Sequence, residues 1–320
     1  MVSFENIRAP TDRDFPACAW LARDIKRYGP RAACRSAVSL SAADAYCRRL
    51  ARCHGENFMV ASLVLPRVIR RHFYRIYAYC RWADDLADET GDPAYSLCLL
   101  DWWQASLDAC YAGRATHPVF IALRDTVTSY DLPATPFEDL LRAFRQDQHV
   151  TRYVDFQELQ QYCCWSANPV GHLILHLAKC HDAARCRLSD SICTGLQLAN
   201  FCQGVTRDWA CGRIYVPRAD LVQFGCAESD LGARRATAAL RRLMQFEVAR
   251  ADEFLRAGWP LVHRVPRWVR ADIEMFIRGG LGILQVIRNR DYDVWTRPPR
   301  VGGARKLSML ARALWRAHVT

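Results

Sequence analysis

The segment Arg81-Trp82-Ala83-Asp84-Asp85-Leu86-Ala87-Asp88-Glu89 sets two carboxylates four positions apart. On a helix Asp84 and Asp88 lie about 40° apart and share a face, while Asp85 turns roughly 100° from Asp84. Like charges at that spacing repel unless a cation bridges them. Hard oxygen donors without His or Cys suit Mg²⁺, which keeps several waters and completes its shell with phosphate oxygens. The competing reading is an acidic, solvated helix face. The preceding Tyr74–Trp82 stretch weighs against it, because it is too aromatic and apolar for a surface stripe.

A second constellation spans Gln197 to Asp208 and runs on to Arg213-Ile214-Tyr215-Val216-Pro217. Asn200, Gly204 and Asp208 follow one another at i, i+4 and i+8 and so line one side of a helix, with Gln197 close by at i−3. Polar groups on an otherwise apolar stretch imply a lined cavity, or else core amides satisfied by hydrogen bonds.

The elements that position these residues read as helices. Candidates run near 41–53, 58–81, 94–111, 117–130, 136–149, 155–165, 168–182, 188–210, 229–258, 268–292 and 304–317, the first with Ser41 as N-cap and Asp44 in its first turn. Breaks fall at Gly55, Gly91-Asp92-Pro93, His117-Pro118, Pro133–Pro136, Gly212, Gly258–Pro260 and Pro298-Pro299. No alternating strand pattern and no internal repeat interrupts them. Val60–Tyr79 and Ile192–Phe201 are apolar on more than one face, as expected of helices in the middle of a bundle. Residues 1–39 carry Pro10, Pro16, Gly29 and Pro30 without a sustained period and read as an N-terminal extension. Residues 40–320 read as one all-α domain.

With 51% hydrophobic and 24% charged residues, a chain of 320 residues builds a large core, which excludes a disordered or fibrous protein. Apolar runs such as Val60–Pro66 and Gly279–Ile287 fall short of the roughly 18 residues a membrane span needs. The first twenty residues lack an apolar signal core, so a cytoplasmic address is expected. Fifteen cysteines, odd in number and without metal-ligand spacing, read as reduced thiols; Cys80, Cys180 and Cys193 sit where a helix wants a small apolar residue. The net charge of +11 comes almost wholly from 41 arginines against three lysines. Residues 261–320 hold twelve Arg or Lys against four Asp or Glu. Such a balance suits anionic lipid or diphosphate, and equally a solvated helical surface. Nucleic acid is not expected, since no zinc-finger or RNA-binding signature accompanies it.

Several segments together resemble the squalene/phytoene synthase family. They are Glu56-Asn57-Phe58, Tyr77-Ala78-Tyr79-Cys80-Arg81 with the Asp84/Asp88 pair, Tyr162 ahead of Ser166-Ala167-Asn168-Pro169-Val170-Gly171, and Gln197–Pro217. They occur in the family's order over about residues 41–310. Glu-Asn-Phe, Val150-Thr151-Arg152-Tyr153 and Ser-Ala-Asn-Pro-Val-Gly are most similar to the bacterial hydroxysqualene synthase branch of the hopanoid pathway.

The resemblance implies an all-α, single-domain isoprenoid synthase bundle around a central cavity for prenyl chains, with Mg²⁺ as cofactor. It makes Asp84 and Asp88 the first magnesium-diphosphate motif and assigns Asn200 and Asp208 to the second. Arg81, Arg213 and Tyr215 become diphosphate or substrate contacts, as do Tyr77, Asn57, Phe58 and Gln197. Tyr162 becomes the tyrosine beside the reacting carbons. The implied substrate is presqualene diphosphate or farnesyl diphosphate, and other enzymes of the squalene pathway are the implied partners, with peripheral contact to the inner face of a membrane for delivery of a greasy product. Phe58, Phe73, Tyr77 and Trp165 are aromatic wall or ordinary core. No hydride donor is needed for hydroxysqualene, and no dinucleotide fingerprint is present.

One departure stands out. The family reads Gln-Asp-Val-x-x-Asp in the second motif, and this chain reads Gln203-Gly204-Val205-Thr206-Arg207-Asp208. The motif loses a carboxylate, and a mid-helix Gly costs about 1 kcal/mol relative to Ala. Cys202 and Cys164 also replace larger side chains. Three functions compete: conversion of presqualene diphosphate to hydroxysqualene, head-to-head condensation of two farnesyl diphosphates to presqualene diphosphate, squalene or a phytoene-type product, and a non-catalytic paralogue that binds prenyl diphosphate without turnover.

Overall fold

The structure, a computed structural model, describes residues 19–32, 38–54, 65–296 and 299. The described residues form helices and turns and contain no strand. They fall into two compact units divided between His149 and Val150.

The first unit holds α1 (Ala19–Tyr28), α2 (Leu40–His54), α3 (Arg67–Asp88), α4 (Pro93–Tyr111), α5 (Pro118–Tyr130) and α6 (Thr135–Gln146). Helix α3 packs against α2, α4, α5 and α6. Its aromatic side explains that position: Trp82 stacks on Trp103 with ring centroids 5.2 Å apart, and Tyr79 meets Phe137 edge-on at 4.9 Å. Phe73, Tyr74, Tyr79 and Trp82 are buried, so Phe73 is core. The buried guanidinium of Arg75 ties α3 to its neighbours, donating to Asp44 of α2 at 2.7 and 3.0 Å and to Asp125 of α5 at 2.5 Å.

Three local readings change. Helix α3 runs on to Asp88 rather than stopping at 81, because burial of Trp82 and Leu86 keeps the acidic segment in the helix. Helix α2 is capped by Ser39, whose hydroxyl accepts from the Ala42 N–H at 3.2 Å, and Asp44 serves Arg75 instead. Residues 19–28, read as extension, form α1. Its Asp24 accepts from the Tyr46 hydroxyl at 2.8 Å, and that hydroxyl accepts from the Trp82 indole at 3.0 Å.

The second unit holds α7 (Phe156–Ser166), α8 (Asn168–Leu177), α9 (Ala183–Ala210), α10 (Arg218–Gln223), α11 (Ala238–Ala257) and α12 (Arg267–Arg288), with short 3₁₀ turns at Glu228–Gly232 and Trp259–His263. Helix α9 packs against α7, α8, α11 and α12. Its start at Ala183 is fixed by Asp182, whose carboxylate accepts from the Arg185 N–H at 2.8 Å. The run read as one helix over 229–258 is divided, with Thr237 capping α11 through the Leu240 N–H at 3.2 Å. Lys179, in the left-handed region at φ 51°, ends α8 earlier than its apolar pattern suggests. The thirteen described cysteines are all free. Burial pushes the thiols of Cys80 and Cys193 up to about 12.

Candidate functional site

In the first unit, the last two turns of α3 carry Tyr77, Arg81, Asp84, Asp85 and Asp88. Arg81 divides itself between two carboxylates: Nη2 lies 2.5 Å from Asp85 Oδ1 and Nη1 lies 3.4 Å from Asp84 Oδ2. Asp85 is buried, and its Oδ2 has no hydrogen-bond partner among the described residues. Burial lifts its carboxyl to about 7, against the pull of Arg81. Asp84 is half-exposed and Asp88 exposed, one turn apart. The arginine's short bond is therefore to the aspartate that sequence spacing set aside, and the Asp84/Asp88 pair keeps its oxygens at the surface of the unit. Those donors fit magnesium, which takes one or two carboxylates and fills its shell with water and phosphate oxygen. Tyr77 is half-buried, and burial raises its hydroxyl to about 12.

In the second unit, four rings gather beside α9. Phe201 stacks on Tyr215 with centroids 3.9 Å apart and planes 9° from parallel. Tyr162, buried on α7, lies 5.8 Å from Tyr215 and 6.4 Å from Phe201. Tyr153 adds a fourth ring, 5.5 Å from Tyr162 and 5.9 Å from Tyr215. Backbone pairing holds this group: the Ile214 N–H donates to Thr151 O and the Arg218 N–H to Tyr153 O, both at 2.9 Å. An aromatic ring attracts a cation over a face that no other ring covers. Phe201 and Tyr153 were not singled out from sequence as site residues. Their signal was there, since Tyr153 belongs to the Val150–Tyr153 stretch and Phe201 follows Asn200.

The polar residues of α9 separate by exposure. Asn200 is exposed and so is not a core amide; Gln197 is half-buried. Asp208 is held by its neighbour, Arg207 donating to Oδ1 from Nε at 3.0 Å and Nη2 at 2.8 Å. Burial raises the Asp208 carboxyl, while the charges of Arg207 and then Arg213 pull it back. A Cβ at Gly204 would stand 2.7 Å from Arg207 Nη2 and 2.9 Å from Asp208 Oδ2. The missing side chain is thus the space that Arg207 uses. Along this end of α9 the middle position has no side chain, and Asp208 Oδ1 is engaged by Arg207. No group of three or more His, Cys, Asp or Glu able to hold a metal by itself occurs among the described residues. Asn57 and Phe58 lie outside the described residues, as does the predicted helix over 304–317.

The Ser166–Gly171 segment turns out to be a packing device. Asn168 is buried and accepts from the Thr194 hydroxyl at 3.1 Å. A Cβ on Gly171 would fall 2.2 Å from Ser189 Oγ and 2.8 Å from Cys193 Sγ, so only glycine lets α8 lie this close to α9.

Residues 51–310 match the squalene/phytoene synthase family. The chain belongs to that family. Family members condense prenyl diphosphates head to head, and the sequence resemblance and the all-α fold are both borne out. A 15-cis-phytoene synthase of Synechocystis sp. is 30% identical over 305 residues, covering 91% of this chain and 90% of the relative. The crystal structure of squalene synthase HpnC from Alicyclobacillus acidocaldarius superposes with a TM-score of 0.76 at 45% identity, covering 79% of this chain and 96% of that one. A dehydrosqualene synthase solved with a ligand shares the fold at a TM-score of 0.79 and 24% identity, over 87% of this chain and 97% of its own.

Proposed function

We propose that this chain is a magnesium-dependent hydroxysqualene synthase of squalene and hopanoid biosynthesis. Presqualene diphosphate and water give hydroxysqualene and diphosphate: the carbon–oxygen bond to diphosphate breaks, the cyclopropylcarbinyl cation rearranges, water oxygen bonds to the new cationic carbon, and one proton is released. The observation that carries this reading is the 45% identity to squalene synthase HpnC across 96% of that protein.

Asp84 and Asp88 would hold magnesium, which would supply positive charge against the departing diphosphate. The chain's own residues do the rest. Arg81, fixed by Asp85, keeps its charge one turn from Asp84 and so orients the carboxylate pair. Tyr162, Tyr215 and Phe201 stack into one aromatic cluster, whose uncovered ring faces would give a carbocation an apolar, π-rich wall that limits premature attack by water. Gln197, Asn200, Asn57 and Phe58 are assigned substrate contact on the family resemblance.

Purified protein incubated with Mg²⁺ and, in separate tubes, presqualene diphosphate or farnesyl diphosphate tests the proposal by mass spectrometry of the extract. Hydroxysqualene from the first tube alone supports it. Presqualene diphosphate from the farnesyl diphosphate tube, or squalene once NADPH is added to it, supports the second reading, head-to-head condensation, which the 30% identity to phytoene synthases favours. Folded protein silent with both substrates supports a binding paralogue. Among the described residues no helix is long and apolar enough to cross a membrane. Peripheral contact through the basic residues 261–320 is part of the proposal, and sedimentation with liposomes that is indifferent to anionic lipid would sink it.

A further inference from the structure

Gly204 and Arg207 make one device. The glycine lies within the last two turns of α9, where a side chain would improve the helix, and yet the space over it is filled by the tip of Arg207. The arginine's Nε and Nη2 both rest on Asp208 Oδ1, while its side chain remains 67% exposed against 12% for the aspartate. Nη1 makes no hydrogen bond among the described residues. The guanidinium is therefore anchored on one edge and open on another, the geometry in which arginine binds a phosphate group through parallel N–H donors.

The surroundings favour an anion. The charge of Arg213 acts on Asp208 in the same direction as that of Arg207. Three of the last carbonyls of the helix, which would repel an anion, each accept from a backbone donor: Cys211 on Arg207 O at 3.1 Å, Gly212 on Trp209 O at 2.9 Å and Arg213 on Asp208 O at 2.8 Å. We infer that the C-terminal turn of α9 is a metal-independent oxyanion site, in which Arg207, folded across Gly204 onto Asp208, binds a phosphate group directly. Naming that group as part of a diphosphate rests on the proposed function; the site itself does not. Where this family places a carboxylate for a metal, this chain has put a cation of its own.

Calorimetric titration of inorganic pyrophosphate into the full chain, in excess EDTA, is the test. The expected result is binding without metal that Arg207→Gln weakens by at least about tenfold. Gly204→Ala adds a single methyl where Nη2 stands and supplies no new ligand, so it is expected to weaken binding to a similar degree. Circular dichroism checks its fold, alanine being the better helix former. The double variant is expected to be no weaker than Arg207→Gln alone, because Gly204 acts only through the arginine. Wild-type binding that appears only with Mg²⁺ would overturn the inference, as would affinity unchanged by either single substitution. The outcome is separable from the reaction assay. A protein that binds pyrophosphate in this way but makes no hydroxysqualene keeps the oxyanion site and loses the proposed reaction; one that makes hydroxysqualene but needs Mg²⁺ for pyrophosphate does the reverse.

Discussion

Arg81 on α3 and Arg207 on α9 each pair with a nearby aspartate, and the two pairings leave different atoms to solvent. Arg81 is 26% exposed and binds closest to Asp85, which is 2% exposed, and more loosely to Asp84, which is 46% exposed. Arg207 is 67% exposed and occupies Asp208, the one carboxylate its turn offers, so the free edge belongs to the arginine. Two helices, each the central one of its unit, thus present opposite charges. An arginine beside an aspartate says little until burial shows which partner is used up.

The largest effect should come from the carboxylate side. Asp84→Asn is expected to lower kcat/KM for the prenyl diphosphate by about a thousandfold, read from product formation, and an unchanged rate would break the assignment of the first helix. Next, Arg81→Ala strands the buried Asp85 and should cost about 3 kcal/mol in urea unfolding. Arg207→Ala should cost less than about 1 kcal/mol, as for an exposed pair. Equal losses would erase the contrast between the two helices.

A further effect concerns pH. Asp272 on α12 is buried, both its oxygens lack hydrogen-bond partners among the described residues, and burial raises its carboxyl to about 8. The folded state keeps that proton where the unfolded chain has lost it, so stability falls as pH rises from about 4 to about 8, by at most about 1.4 kcal/mol per pH unit for this group. Asp85, lifted to about 7, acts in the same direction. Asp272→Asn should reduce the slope by about 1.4 kcal/mol per pH unit between about pH 5 and 7, and by less above pH 7. Thermal unfolding across that range measures it.

Much of this was legible in the sequence. Helix periods and the Gly, Pro and Asp breaks located most of the second unit, and spacing alone paired Asp84 with Asp88. Spacing could not say that Arg81 would favour Asp85, because that depends on which side of α3 the Trp82–Trp103 cluster buries. Nor did a missing Asp at 204 reveal that Arg207 fills the space, since the effect needs the height of one helical turn and the length of an arginine. The Ser166–Gly171 segment read as a mark of family resemblance, and Asn168 and Gly171 act through close packing of α8 on α9. Helix α1 keeps helical spacing, with Leu21 and Ile25 four apart and buried, but ten residues are too short for that period to stand out beside Pro16, Gly29 and Pro30.

That short helix changes what a protein engineer should cut. Asp24 on α1 closes a relay through the Tyr46 hydroxyl to the Trp82 indole, two residues ahead of Asp84. A version begun at residue 40 would remove the acceptor at the far end of the relay and uncover the edge of Trp82 against which Trp20 packs at 5.6 Å. What looks like a dispensable leader is a buttress behind the acidic helix, and trimming it for expression would trade yield against the very turn that carries the carboxylates.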